Sequence, residues 1–188
     1  MANTAANVRV GSPEITAEGY IRTGPIGTKT PTTLAEPLEA ALKGIGYVSE
    51  EGVNRNLSTE TETIKDWNLD TVKVVVTDST ATYTFTMIQD DIESARLLFG
   101  AANVVEGTDG EYTILHKGEP LEHRAWVVLM KDGENGSRHV IDDGQITSIG
   151  EQSYVKNGVV SYEVTLTCFR VNGAFVREIK KDAVRVVA

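Results

Sequence analysis

Three histidines, one cysteine and several paired carboxylates are the side chains here best suited to proton transfer, nucleophilic attack or metal binding near neutral pH. Their spacing organises none of these. His116 and His123 flank the turn Lys117-Gly118-Glu119-Pro120, and His139 alternates with Val140 along a strand pattern, so all three are expected at the surface or its rim. There is no HxH, HExxH or CxxC to hold a metal, and Asp142-Asp143 followed by Gly144 reads as a turn. Ser148 and Ser153 lack the GxSxG frame of a nucleophile elbow, and Cys168 falls on an apolar strand face, where a thiol loses reactivity. The loop from Gly24 to Thr30, GPIGTKT, matches neither GxxxxGK[ST] nor GxGxxG. Glu50-Glu51 and Asp90-Asp91 have local explanations, loop solvation and helix capping respectively. The expectation is no catalytic residue, no cofactor and no metal, hence no enzyme.

The elements around these residues define a different kind of molecule. A chain of 188 residues suits one domain that buries a core without disulfides, and the single cysteine excludes an internal disulfide. Lys and Arg total 18 against 27 Asp and Glu, a net charge of −9 that disfavours binding nucleic-acid phosphates yet suits a surface past which DNA must slide. No run approaches the ~20 apolar residues of a membrane span, and the first ten residues lack the features of a signal peptide. Synthesis in the cytoplasm, without membrane association, is the expectation.

Residues 1–14 read as an N-terminal arm and 15–188 as a single domain. A strand around 17–22 precedes a Gly/Pro/Thr-rich loop. Thr33 with Glu36 forms a capping-box pattern, and Leu38, Ala41, Leu42 and Ile45 follow at helical spacing, predicting a first helix. Residues 49–71 read as a long polar loop. Val72–Thr77 predicts a strand, Asp78-Ser79-Thr80 a turn, and Tyr83, Phe85 and Met87 the buried side of the next strand. Asp90 is expected to cap a second helix that Gly100 ends. Beyond it lie a strand at 111–116, a hairpin pairing 124–130 with 138–141, and another pairing 146–155 with 159–169 across Asn157-Gly158. Residues 174–188 read as a strand or an arm. The predicted class is mainly β: an antiparallel β-sandwich or partly closed barrel with a flanking α-helix.

Trp67 lies amid polar residues, where it must either fold back on its own domain or anchor in a partner. Ordering about 20 polar residues needs an outside surface, which favours the partner. Leu57 and Ile64 in the same segment, with Val8 and Val10 in the arm, complete the expected assembly contacts.

The segments MANTAANVRVG, LKGIGYVSEEGVNRNLSTETETIKDWNLDTVKVVVTDSTATYTFTMIQ, ESARLLFG and GVVSYEVTLTCF together resemble the major tail proteins of siphophages that infect actinobacteria, most specifically across Gly46–Gln89. The resemblance implies a structural virion protein of the tail: six subunits in a ring, and rings stacked into a hollow tube that passes phage DNA without binding it specifically. Residues 49–71 would reach an adjacent ring. The implied partners are further copies of the chain, a tape measure protein, a tail terminator and distal tail proteins. Glu163, Asp142 and Asp143 are the acidic candidates for the wall of the lumen. The rival reading is a capsid-decorating or head-to-tail connector protein.

Overall fold

A computed structural model of the chain describes residues 8–152 and 154–181. Ten strands carry the architecture: β1 (Ile21–Pro25), β2 (Lys43–Gly44), β3 (Val48–Lys65), β4 (Thr71–Met87), β5 (Val104–Glu106), β6 (Tyr112–Ile114), β7 (Arg124–Asp132), β8 (Asn135–Ile149), β9 (Tyr162–Cys168) and β10 (Arg177–Lys180). One α-helix, α1 (Ile92–Phe99), flanks them.

Strict alternation sets the central strands. In β9, Tyr162, Val164, Leu166 and Cys168 are buried while Glu163 faces out, and β4 repeats the pattern with Ala81, Tyr83, Phe85 and Met87. The two pair antiparallel from Ala81 with Cys168 to Met87 with Tyr162, which puts both apolar rows on one side. The main sheet runs β2-β1-β7-β8-β9-β4-β3, with β10 added on β8, and its ends do not join into a barrel.

The long strand β8 belongs to both halves of this sheet. Ser137–Val140 lies between β7 and β10, whereas Gly144–Ile149 runs beside β9. At the changeover is Gly144, where an added Cβ would press on Trp126, Ile141 and Leu166 at 3.0–3.1 Å. Trp126 and Ile141 from one half thus pack in one core with Tyr83, Phe85, Val164 and Leu166 from the other. Each large side chain sealed there contributes roughly 2–3 kcal/mol. β7 is buried on both faces, because Leu38 and Leu42 cover Ala125, Val127 and Leu129 from behind.

That covering segment corrects the first predicted helix: residues 33–42 form turns and irregular chain, leading into the short β2. The capping bond does form, Thr33 Oγ1 accepting from the Glu36 N–H at 3.2 Å. Pro37, however, disfavours helical geometry at Glu36, and the Glu36 carboxylate accepts from Thr32 and pairs with Lys29 instead. The second helix forms, with its cap one residue later than expected. Asp91 accepts from the Ser94 N–H at 2.8 Å, and Asp90 takes the Tyr162 hydroxyl at 3.1 Å.

Two further expectations change. The supposed loop 49–71 is mostly strand, its residues forming most of β3 and the turn into β4, and Asp78-Ser79-Thr80 lies inside β4. The pairing of β8 with β9 holds, but β8 ends at Ile149 and β9 starts at Tyr162, so the Asn157-Gly158 turn sits in a long connection. His139 is buried, contrary to the expected rim position, because β10 lies alongside and pairs Glu178 with it. Residues 1–7, Ser153 and 182–188, which include parts of both expected arms, lie outside the described residues.

Candidate assembly interface

β4 is supported by β9 only from Ala81 onward, so the rest of the β3–β4 hairpin, Leu57 to Thr80, stands away from the body as a two-stranded ribbon. Nearly every residue of it is exposed. An isolated ribbon of this kind has no core of its own and is marginal in water.

The register shows what the ribbon displays. Thr61 pairs with Val76 and Thr63 with Val74, and directly opposed residues share a face. Val72, Val74 and Val76 all remain exposed. A register shift at Glu60/Thr61 leaves Thr77 as an extra residue in β4, and such bulges sharpen strand twist. At the tip, Asp66 Oδ1 accepts from the N–H groups of Asn68 and Asp70, each at 2.9 Å, and the Leu69 N–H donates to the Asp66 carbonyl at 3.1 Å. Leu69 takes a left-handed φ of 68° to close the turn. Trp67 is carried on this turn 100% exposed.

Where the ribbon leaves the body, Arg55 of β3 pairs with Glu178 of β10, which also engages Lys180 and stands 4.0 Å from His139 Nε2. The Tyr83 hydroxyl meets His139 Nδ1 at 2.9 Å. Burial, reinforced by the Arg55 and Lys180 charges, lowers the His139 pKa to about 4. The ring is therefore neutral near pH 7, accepting from Tyr83 and turning Nε2–H toward Glu178.

The structure groups Leu57, Ile64 and Trp67 on the ribbon. Val8 and Val10 sit apart and exposed, with the Val10 N–H donating to Asp132 at 2.9 Å beside the β7–β8 turn. The acidic candidates do not converge. Asp142 accepts from Arg177 at 2.8 and 3.0 Å and from Thr30 at 2.5 Å, and the Arg177 bonds hold its carboxyl below the usual range. Asp143 meets His123 Nδ1 at 2.6 Å. Glu163 is exposed on β9, opposite Thr86. Sequence reasoning missed that Leu69, Val72, Val74 and Val76 are also exposed on the ribbon. The alternation of Val72, Val74 and Val76 is the available signal; it predicts a strand without saying which surface the valines face.

A family model described as phage tail tube protein matches residues 1–186. The chain belongs to the phage tail tube protein family. No curated protein matches this tail tube protein in sequence. Among solved structures it is similar to a chain from the virion of a native gene transfer agent particle, at 16% identity over 77% of this chain and 92% of that one, with a TM-score of 0.43. A chain of the sheath-tube complex of an extracellular contractile injection system in the extended state is 13% identical over 94% and 98%, with a TM-score of 0.44. One from the anti-feeding prophage cap is 13% identical over 96% and 100%, with a TM-score of 0.45.

Tail tube membership makes this chain a structural component of the phage tail and not an enzyme. Its chemistry-bearing side chains have structural uses. Burial pushes the Cys168 thiol up to about 12, and among the described residues no three His, Cys, Asp or Glu side chains converge on a metal position.

Proposed function

We propose that this tail tube subunit closes into six-membered rings through its sheet edges, and that the Leu57–Thr80 ribbon reaches an adjacent ring so that rings stack into a hollow tube for phage DNA. The observation that carries this reading is the ribbon itself: an exposed, two-stranded projection bearing Trp67 and three valines that nothing among the described residues covers. Surface of that kind is stabilised by a partner. Glu163, whose carboxylate has no ion-pair partner among the described residues, is the strongest candidate for a lumen wall that repels phosphate. The charge of Asp142 is offset by Arg177, and the Asp143 carboxylate is engaged by the His123 ring. A tape measure protein inside the tube, with terminator and distal tail proteins at its ends, would complete the assembly.

Negative-stain microscopy of the purified protein tests the proposal. Hollow tubes of indefinite length with sixfold end views are expected. Single closed rings, or trimers that bind only capsids, would favour the connector or decoration reading instead.

A further inference from the structure

The ribbon has two faces, and the charges on its strands all lie on one of them. Opposed residues share a face and successive residues alternate, so the register assigns each position to a side. One side holds Thr59 opposite Ser79, Thr61 opposite Val76 and Thr63 opposite Val74. The other holds Glu60 opposite Asp78, Glu62 opposite Val75 and Ile64 opposite Lys73. Between Leu57 and Ile64, and between Lys73 and Ala81, the charged residues are Glu60, Glu62, Lys73 and Asp78, and every one belongs to the second side.

The bulge in β4 is what brings the valines to the uncharged side. Ser79 and Ala81 lie there, so unbroken alternation would turn Val74 and Val76 toward the side of Asp78. A slip of one residue exchanges faces. The extra residue Thr77 supplies that slip, and Val74 and Val76 come round beside Thr63 and Thr61.

At its base the uncharged side is the core side of the body. Tyr83 and Phe85 are buried on it, and the Tyr83 hydroxyl reaches His139 of β8. Arg55, opposite Tyr83, reaches Glu178 of β10. Past Leu57 this cover ends, and Val74 and Val76 are more than half exposed. An uncharged surface gives a nucleic-acid phosphate no cation to bind. A second copy of this chain carries the same net charge of −9, which the carboxylates of the other side oppose and the uncharged side does not.

We propose that the ribbon docks on a second copy through this one face, the row of Thr59, Thr61, Thr63, Val74 and Val76, continuing outward the cover that β8 and β10 give its base. The face of Glu60, Glu62 and Asp78 stays in solvent in the assembled tube. The inference rests on the stacking role proposed for the ribbon, which by itself selects no face.

Two measurements test it, with tube formation by the unmodified protein as the separate check on that role. First, Thr61→Cys and Glu62→Cys place a thiol at neighbouring positions on opposite faces, the buried Cys168 staying out of reaction. Both thiols should react with a maleimide in the unassembled subunit. In pelleted tubes the Thr61→Cys thiol should react at least about tenfold more slowly and the Glu62→Cys thiol within about threefold of its free rate. Protection of both, of neither, or of Glu62→Cys alone in tubes overturns the face assignment and leaves stacking intact; absence of tubes from the unmodified protein overturns the stacking role as well. Second, Thr61→Glu and Ser58→Glu each add one carboxylate, on opposite faces of an exposed ribbon, so both proteins should melt as the unmodified one does. Because burying an unpaired charge is costly, Thr61→Glu should raise the concentration needed for assembly about tenfold or more, and Ser58→Glu no more than about threefold. Thr61→Lys should act like Thr61→Glu, since desolvation opposes either sign. Equal rises at Thr61 and Ser58, or normal assembly of Thr61→Lys, would refute burial of that face.

Discussion

Replacing Trp67 with alanine separates folding from assembly, because the side chain is fully exposed within its own chain. Removal should change the stability of the unassembled subunit by no more than about 0.5 kcal/mol. In a tube the same ring would lose roughly 150–250 Å² of accessible surface, worth about 4–6 kcal/mol at 25 cal/mol per Å². Ordering the side chain and imperfect burial reduce this to the range of a strong interface anchor, about 2–4 kcal/mol. At 1.4 kcal/mol per tenfold, the critical concentration for assembly should rise about 30- to 700-fold. Pelleting across a concentration series, with microscopy of each pellet, reads that number, and calorimetry of the unassembled subunit reads the other. A critical concentration within about threefold of the unmodified protein would refute the anchor role. A fall in Tm of more than about 2 °C would show that Trp67 supports the fold after all.

Other consequences concern the body. The neutral, buried His139 binds a proton in the unfolded chain below about pH 6.5 but in the folded chain only near pH 4. Stability should therefore fall by about 2–3 kcal/mol as pH drops from 6.5 to 4, with Arg55, Lys180 and Glu178 as the charges facing the ring. Denaturant melts across that window should lose this component in His139→Gln. Gly44→Ala would drive its Cβ into the Glu18 carbonyl oxygen, so chemical denaturation should show a loss of about 3 kcal/mol. Cys168, buried and with its thiol raised to about 12, should react with a thiol reagent at pH 8 only after denaturant is added.

The strands with one buried face were legible because burial writes a period of two into the residues, as in Tyr83, Phe85 and Met87 and again in Val164, Leu166 and Cys168. The ribbon lacked that signal for the same physical reason. Both of its faces are exposed, so Ser58 to Thr63 needs no apolar alternation, and the β-branched Thr59, Thr61 and Thr63 were its only marks of strand. Pro37 was a local sign against the first helix that the spacing of Leu38, Leu42 and Ile45 outweighed. His139 was beyond local reading, since its burial depends on β10, almost 40 residues later. Of the apolar residues on the ribbon, Trp67, Leu57 and Ile64 are visible as apolar residues in polar company, whereas the exposure of Val72, Val74 and Val76 follows only from the register that places them beyond β9.

The pairing of β1 with β7 joins residues about 100 positions apart, from Pro25 with Arg124 to Ile21 with Val128. A ribosome adding about 5–20 residues per second leaves β1 waiting roughly 5–20 s for its partner, while the β3–β4 hairpin finds its own within a single stretch of chain. The hairpin is local enough to form first, but with no core of its own it stays marginal until β9 arrives to back its base. Over that interval Glu60, Glu62, Asp66 and Asp70 place like charge along a strand pair whose edges are open.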